Sequence, residues 1–329
     1  MKAMILEALK SPLVMRDLEI PKPGIGQILI KIEACALCRT DVHVVDGELP
    51  NPVLPIIPGH QIVGEVVELG KDVQKWKIGD RVGVAWLQDA CGYCKFCLSG
   101  RENLCAQAVY TGYQVNGGYA EYCVANGAFC FHLPKEAAAV QLAPFLCGGL
   151  IGFRSLRFSA DAQKLGFYGF GSSAHLLTQI AAAQGKKVFA FTKPGDMQGQ
   201  AFAKKLGAVW AGGSNEMAPE PLDAAIIFAP VGELVPQALK AVDKGGKVIC
   251  AGIHMSDIPS FPYALIWEER ILQSVSNLTR EDGVEFFKLL DHIPLNAQVT
   301  TYPLEAANQA LNDLRAGKFE GCGVLSIGV

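Results

Sequence analysis

Hydrophobic positions early in the chain recur at a spacing of two. Ile28, Ile30 and Ile32 fall on one face of a strand predicted over 27–34. Runs at 62–69, 80–86 and 118–124 are also rich in β-formers and are bounded by turn residues. This stretch therefore reads as short strands separated by Gly and Pro, with no long helical periodicity before about Glu136. The pattern changes near Lys164. An apolar strand over 164–170 leads through a Gly-rich turn to a helix over 173–183. Strand 186–192, helix 198–206, strand 222–229, helix 233–242 and strands 247–251 and 271–277 continue the alternation. Strands alternating with helices imply a parallel sheet covered on both faces. The Gly-rich spots around Gly148, Gly212 and Gly245 lack a strand–helix context and read as turns. The tail holds two more helices. In the second, Pro303 suits the first turn, Gly317 the C-terminal cap, and Leu304, Ala307, Leu311 and Leu314 the buried stripe.

At 329 residues the chain is long for one core and comfortable for two. Half its residues are hydrophobic and 19% are charged, a globular composition. The formal net charge is -3 and the basic residues are scattered, which argues against a nucleic-acid partner. No apolar run approaches the roughly 18 residues of a membrane span, so no membrane partner is expected. Residues 1–10 are broken by Glu7 and lack a signal-peptide layout, so the expected location is the cytoplasm. Disulfides are disfavoured there, and eleven cysteines then call for metal or for chemistry.

Four of those cysteines are clustered: Cys91, Cys94, Cys97 and, after seven residues, Cys105. Four thiolates at such spacing can enclose one zinc tetrahedrally and leave no position open, which makes the site structural. An iron–sulfur cluster also takes four cysteines, but the run lacks the ferredoxin spacing. A second constellation is dispersed. Cys38, Arg39, Thr40, Asp41 and His43 lie within six residues, His60-Gln61 follows Pro58-Gly59, and Cys147 follows Phe145. Singly these are weak signals, since a lone Cys is usually buried and inert. Together, Cys38, His60 and Cys147 offer three zinc ligands and an open fourth position, the mark of a catalytic zinc. A Lewis acid there eases loss of an alcohol's proton, so that hydride can leave.

Gly169, Gly171, Ser172, Ser173 and Ala174 follow a predicted strand and open a predicted helix. In that context they form a dinucleotide-binding turn: one Gly for the turn, one for close approach of the pyrophosphate, and free N–H groups at the helix start. The next strand ends in Thr192 and Lys193, with no acid before Asp196. A carboxylate at the strand end binds the ribose of NAD and repels a 2′-phosphate, so this ending points to NADP(H). A neutral strand end tolerant of both cofactors is the other reading.

In order and over essentially the whole length, these segments resemble the zinc-dependent medium-chain alcohol dehydrogenases, within them the microbial and cinnamyl-alcohol-type branch. The resemblance implies an α/β fold with two domains. One is a β-rich GroES-like catalytic domain (1–147 and 280–329); the other is a Rossmann domain with a doubly wound parallel sheet (148–279). It implies two zincs per chain, NAD(P)(H), a primary alcohol or aldehyde substrate, and a homo-oligomer, dimer or tetramer. By position, Thr40 resembles the hydroxyl that meets the substrate oxygen. His43 resembles the end of a proton relay that runs through the cofactor ribose, and Arg39 a pyrophosphate contact. Asp41 resembles the carboxylate that orients a ligand imidazole, here His60. Trp86-Leu87 is similar to the pocket wall of the microbial members, and Tyr113 and Phe145 join it as apolar candidates. Two departures stand out. Gln61 replaces the usual Glu after the ligand His, either as a weaker, neutral group near the metal or as a partner for nearby backbone. Cys35 mimics a metal pair with Cys38, yet the family ligand is the second cysteine, so Cys35 reads as packing. A different class of function also fits these motifs: a non-catalytic zinc protein, a redox or metal sensor on a dehydrogenase scaffold. A sensor has no use for the relay pair Thr40 and His43.

Overall fold

The period-two pattern at the start of the chain becomes a sheet whose central strand, Gln27–Ala36, buries Ile28, Ile30 and Ile32. A computed structural model of the chain describes residues 1–50 and 52–328. These divide into two compact units. The first comprises Met1–Cys147, Leu278–Phe287 and Ala297–Val329; the second comprises Gly148–Asn277 and Lys288–Asn296.

Among the described residues the first unit's main sheet runs Val299–Pro303, Cys322–Ser326, Gln27–Ala36, Ile62–Leu69, Arg81–Val84, Phe131–His132. Tyr122–Asn126 is also paired to Gln27–Ala36. All pairings but the first are antiparallel. The strand expected over 118–124 begins only at Tyr122. Just before it, the Gly118 N–H donates to the Gly59 carbonyl, so the chain there crosses the His60 segment instead of joining the ladder. A short helix, Arg39–Asp46, stands where no helix was expected. In the tail, Pro303 closes a strand, and a 3-10 turn leads into the helix Ala307–Ala316, capped by left-handed Gly317. Leu304, Ala307 and Leu311 are buried as the stripe predicted, and Leu314 partly so.

The second unit holds six strands among the described residues, all parallel. Numbered along the chain within this unit, their order is 3-2-1-4-5-6, the doubly wound order of dinucleotide-binding folds. Two of the three glycine-rich spots read as turns are not turns. Gly212 lies in the strand Trp210–Gly213; Gly245 falls within Val242–Cys250 but bends the chain at φ +68 between the paired residues Val242 and Lys247. Gly148 opens the helix Gly148–Phe158, where an added Cβ would meet the Ser172 Oγ at 2.6 Å. The tail was expected to return to the first unit as one block from residue 280. Instead Lys288–Asn296 groups with the second unit. A reciprocal clamp is part of this grouping: the Gln179 amide donates to the Asn296 carbonyl at 3.0 Å and accepts the Asn296 N–H at 3.1 Å. No single helix among the described residues is long and apolar enough to cross a membrane.

Candidate active site

The site is built from the short helix Arg39–Asp46. Cys38 precedes it with extended backbone, and Asp41 sits at its third position. Asp41 Oδ2 accepts the Cys38 N–H at 2.8 Å, closing the helix start. Its other oxygen, Oδ1, lies 3.0 Å from His60 Nδ1. One carboxylate therefore caps a helix and orients an imidazole, with both side chains almost fully buried. Because the carboxylate takes the Nδ1 proton, Nε2 faces the site. That atom is buried and has no hydrogen-bond partner among the described residues. Burial works to depress the His60 pKa, but Asp41 and then Cys38 outweigh it and push it up to about 10. A proton on Nε2 thus competes with any cation for that position.

The Cys38 and Cys147 sulfurs are 3.6 Å apart, and with His60 their ligand atoms lie within 4.8 Å of one another. Two thiolates about 2.3 Å from a tetrahedral zinc stand about 3.8 Å apart, so the spacing suits that ion. The Cys147 thiol donates to Cys38 and lowers its pKa well below that of an ordinary thiol, while Cys147 itself is raised. Thr40 Oγ1 is 3.6 Å from the Cys38 sulfur. Gly59, at φ +94, carries the chain into His60; a Cβ there would strike the Tyr119 ring at 2.4 Å and the Cys35 sulfur at 2.9 Å. Cys35 is fully buried, as its packing role requires.

Cys91, Cys94, Cys97 and Cys105 form a second group with mutual ligand distances within 4.8 Å. The Cys94 N–H points at the Cys91 sulfur (3.4 Å) and the Gln107 N–H at the Cys105 sulfur (3.3 Å), contacts that favour thiolates. The segment is fixed to the helix Arg280–Leu290 by Glu102, whose buried carboxylate accepts both the backbone and the Nε protons of Arg280.

In the second unit Gly169 takes φ +88, and a Cβ there would meet the Ala229 N at 2.8 Å. A Cβ on Gly171 would project into open space beside the loop. Ser172 and Ser173 begin the helix Ser172–Ala183, which has no side-chain cap. The turn thus presents backbone in the way a pyrophosphate requires. The Thr192 hydroxyl is buried against the Lys193 and Gly212 carbonyls and the Gln200 amide, so Thr192 ends the strand as a neutral residue that does not present itself to an anion. Lys193 is exposed, and Asp196 is committed to capping the helix Met197–Lys205.

Residues 24–135 match the alcohol dehydrogenase GroES-like domain. A probable alcohol dehydrogenase AdhA of Mycobacterium tuberculosis is 44% identical, over 96% of this chain and 93% of its own. The chain belongs to the zinc-dependent medium-chain alcohol dehydrogenases. A cinnamyl alcohol dehydrogenase from Sorghum bicolor shares the fold (TM-score 0.91, 24% identity, 99% of this chain and 97% of that one). An acetophenone reductase from Geotrichum candidum, solved in complex with NAD, matches with a TM-score of 0.89 at 26% identity, over 99% and 96%. The protein is accordingly an NAD(P)-dependent alcohol oxidoreductase with a GroES-like domain and a Rossmann domain, acting on a small alcohol or aldehyde. The comparisons favour this over a sensor.

Within this dehydrogenase, the apolar candidates separate. The Trp86 ring lies 6.2 Å from the His60 ring, stacks on Tyr110 at 4.2 Å and neighbours Tyr113 at 6.5 Å. Leu87 is buried in a two-stranded pairing with Tyr110, and Phe145 is buried edge-on to Phe286. Arg39 is exposed at the helix start. Gln61 is buried, and its Oε1 has no partner among the described residues, so the oxygen is not spent on nearby backbone. Two residues beside the predicted ones escaped the sequence reading. Tyr110, lodged in a two-residue strand, gave no periodic signal. Glu48 contacts the His43 ring, and finding it required knowing that a helix ends at Gly47.

Proposed function

We propose that Cys38, His60 and Cys147 hold the catalytic zinc of a dehydrogenase for primary alcohols and aldehydes, and that Cys91, Cys94, Cys97 and Cys105 hold a structural zinc. The orphaned, buried Nε2 of His60 beside two sulfurs carries this reading. When bound, zinc supplies a Lewis acid for the substrate oxygen and the dinucleotide supplies the hydride acceptor or donor. The protein does the rest. Two thiolates and a neutral imidazole balance the divalent charge. Asp41 fixes the His60 tautomer. Thr40, beside Cys38, takes the hydrogen bond of the substrate hydroxyl. His43, one turn along the same helix, carries the proton onward as a general base. Trp86 and Tyr113 supply apolar wall. In the second unit the Gly169–Gly171 turn with Ser172 and Ser173 receives the pyrophosphate; in the first, Arg39 is an exposed cation suited to an anion.

NADP(H) is the proposed cofactor. The strand end lacks a ribose-binding acid, and Lys193 supplies an exposed cation; Thr192 contributes only neutrality. The enzyme is proposed to act in the cytoplasm as a homo-oligomer. The strand Ile271–Ser274 supports the oligomer: it ends the parallel sheet with Ile271 and Leu272 exposed, an edge that proteins ordinarily cover. Light scattering checks that point. Steady-state oxidation of a series of primary alcohols with each cofactor tests the function. A higher kcat/KM with NADP+, lowered selectively in Lys193→Glu, is expected. A higher value with NAD+ overturns the cofactor reading, and no turnover with any alcohol overturns the enzyme.

A further inference from the structure

The four-cysteine segment is the loop of a hairpin whose stem reaches the candidate active site. Leu87–Asp89 pairs antiparallel with Val109–Tyr110, and the segment between them, 90–108, carries Cys91, Cys94, Cys97 and Cys105. Two residue pairs hold the stem, Leu87 with Tyr110 and Asp89 with Val109, with a register shift between them. So short a two-stranded ladder is marginal by itself, and closing a long loop weakens it further. Cys91 follows the first strand by two residues, and Cys105 precedes the second by four. One ion shared by these cysteines therefore ties the upper ends of both strands together. Contacts also run from the group into the second strand. The Gln107 N–H points at the Cys105 sulfur (3.3 Å), and the Ala108 N–H donates to the Cys105 carbonyl at 3.1 Å.

The foot of the stem lies beside His60. Trp86 immediately precedes the first strand, and its carbonyl accepts the Thr111 N–H at 2.8 Å. Its ring stacks on Tyr110, centroids 4.2 Å apart and planes at 22°, and stands 6.2 Å from the His60 ring. The indole Nε1 is buried and has no hydrogen-bond partner among the described residues. A buried Trp N–H usually finds an acceptor. Here ring contacts set the direction of the indole instead. Tyr113 is the looser neighbour, at 6.5 Å and tilted by 41°, so Tyr110 is the ring that holds Trp86. Tyr110 is itself fixed through its N–H, which Gln114 Oε1 accepts at 2.9 Å.

We propose that Tyr110 is a positioning residue through which the four-cysteine group sets the apolar wall of the substrate site. The linked cysteines fix the register of the stem, the stem fixes Tyr110, and Tyr110 fixes Trp86. Tyr110 acts only through Trp86. The closed metal site then does more than stabilise its own loop: it decides how firmly the enzyme grips the carbon chain of an alcohol. The proposal rests on the zinc and substrate assignments set out above.

Two readouts separate this from a purely structural role. The first is kcat/KM along a series of straight-chain primary alcohols. A methylene buried against a fixed wall raises it about fourfold. In Tyr110→Leu the increment should fall to about twofold or less, through KM with kcat nearly unchanged, because the chain contact is common to ground and transition states. The conservative variant Tyr110→Phe keeps the ring and should restore the wild-type increment. The second is fluorine NMR of fluorotryptophan-labelled enzyme without substrate or cofactor, the Trp86 signal being assigned by its loss in Trp86→Phe. That signal should move in Tyr110→Leu and in Cys94→Ser, while those of Trp76, Trp210 and Trp267 stay in place. If Cys94→Ser does not fold, Cys147→Ser replaces it. Only the four-cysteine group binds metal there, and exchange of its zinc for cadmium, which bonds sulfur at longer distance, should move the Trp86 signal alone. A Trp86 signal unmoved when the four-cysteine group loses or exchanges its metal overturns the proposal, as does a wild-type increment in Tyr110→Leu. If Cys94→Ser keeps all its zinc, the zinc assignment itself fails and the proposal falls with it.

Discussion

Asp41 shows how much one side chain can settle. Its two oxygens face two donors, the Cys38 N–H and His60 Nδ1–H, so one carboxylate sets both the helix start and the orientation of the His60 ring. Asp41→Asn should keep the cap, because the amide oxygen can still accept the Cys38 N–H. The amide NH2 would then face Nδ1 and favour the tautomer with its proton on Nε2. Zinc affinity at the catalytic site is expected to fall about 10–100-fold, the usual cost of losing such a partner, with about 1 kcal/mol or less of stability lost. Chelator competition measures the first and denaturant melts the second; unchanged affinity would contradict the assigned role. Residue identity was the most legible level in the sequence. Both cysteine-rich groups come together as their spacing implied. What spacing could not convey was direction. Thr192 stands where expected, yet its hydroxyl turns inward to the Gly212 carbonyl, and the Gln61 oxygen finds no partner where backbone was one expectation.

Elements made by periodicity were legible, and elements made by their ends were not. The strand Ile62–Leu69 and the tail helix announce themselves by their apolar rhythm. The helix Arg39–Asp46 does not, because Thr40, Val42, Val44 and Val45 are β-branched and poor helix formers. It exists because Asp41 caps one end, Gly47 turns the other, and Val42 and Val45 are buried. Trp210–Gly213 was hidden in the same way by its two glycines, being a strand through pairing with Phe189–Thr192. The helix Ser172–Ala183 carries a pH-dependent weakness. His175 lies fully buried within it, and burial lowers its pKa to about 4. An unfolded His titrates near 6.5, so below that value the unfolded chain binds a proton that the folded helix refuses. His175 therefore contributes stability above about pH 6.5 that is lost as the pH falls toward about 4. Chemical denaturation at intervals between those values should show His175→Gln losing less stability than wild type over the window, whatever its starting stability. Parallel losses would contradict this.

At the scale of the whole molecule, the alternation of strands and helices becomes the parallel sheet, and the cysteine-bearing segments come together as two groups that could hold a metal ion. The boundary near residue 288 was not readable, because contacts such as the Gln179–Asn296 pair, made between residues 117 apart in the chain, leave no periodic trace in the sequence. Both proposed zinc sites lie in the first unit, and they differ in one physical respect: four cysteines close one, while Cys38, His60 and Cys147 leave the other a coordination position. Closed sites contribute folding energy, and open ones serve chemistry. The most direct test is the zinc content of purified wild type and Cys147→Ser, read beside melting temperature and alcohol oxidation. Two zincs per wild-type chain are expected, with one retained in Cys147→Ser, a nearly unchanged melt and no turnover. Cys94→Ser should instead lose the other zinc together with stability. A Cys147→Ser protein that keeps two zincs and oxidises alcohol at the wild-type rate would contradict the account.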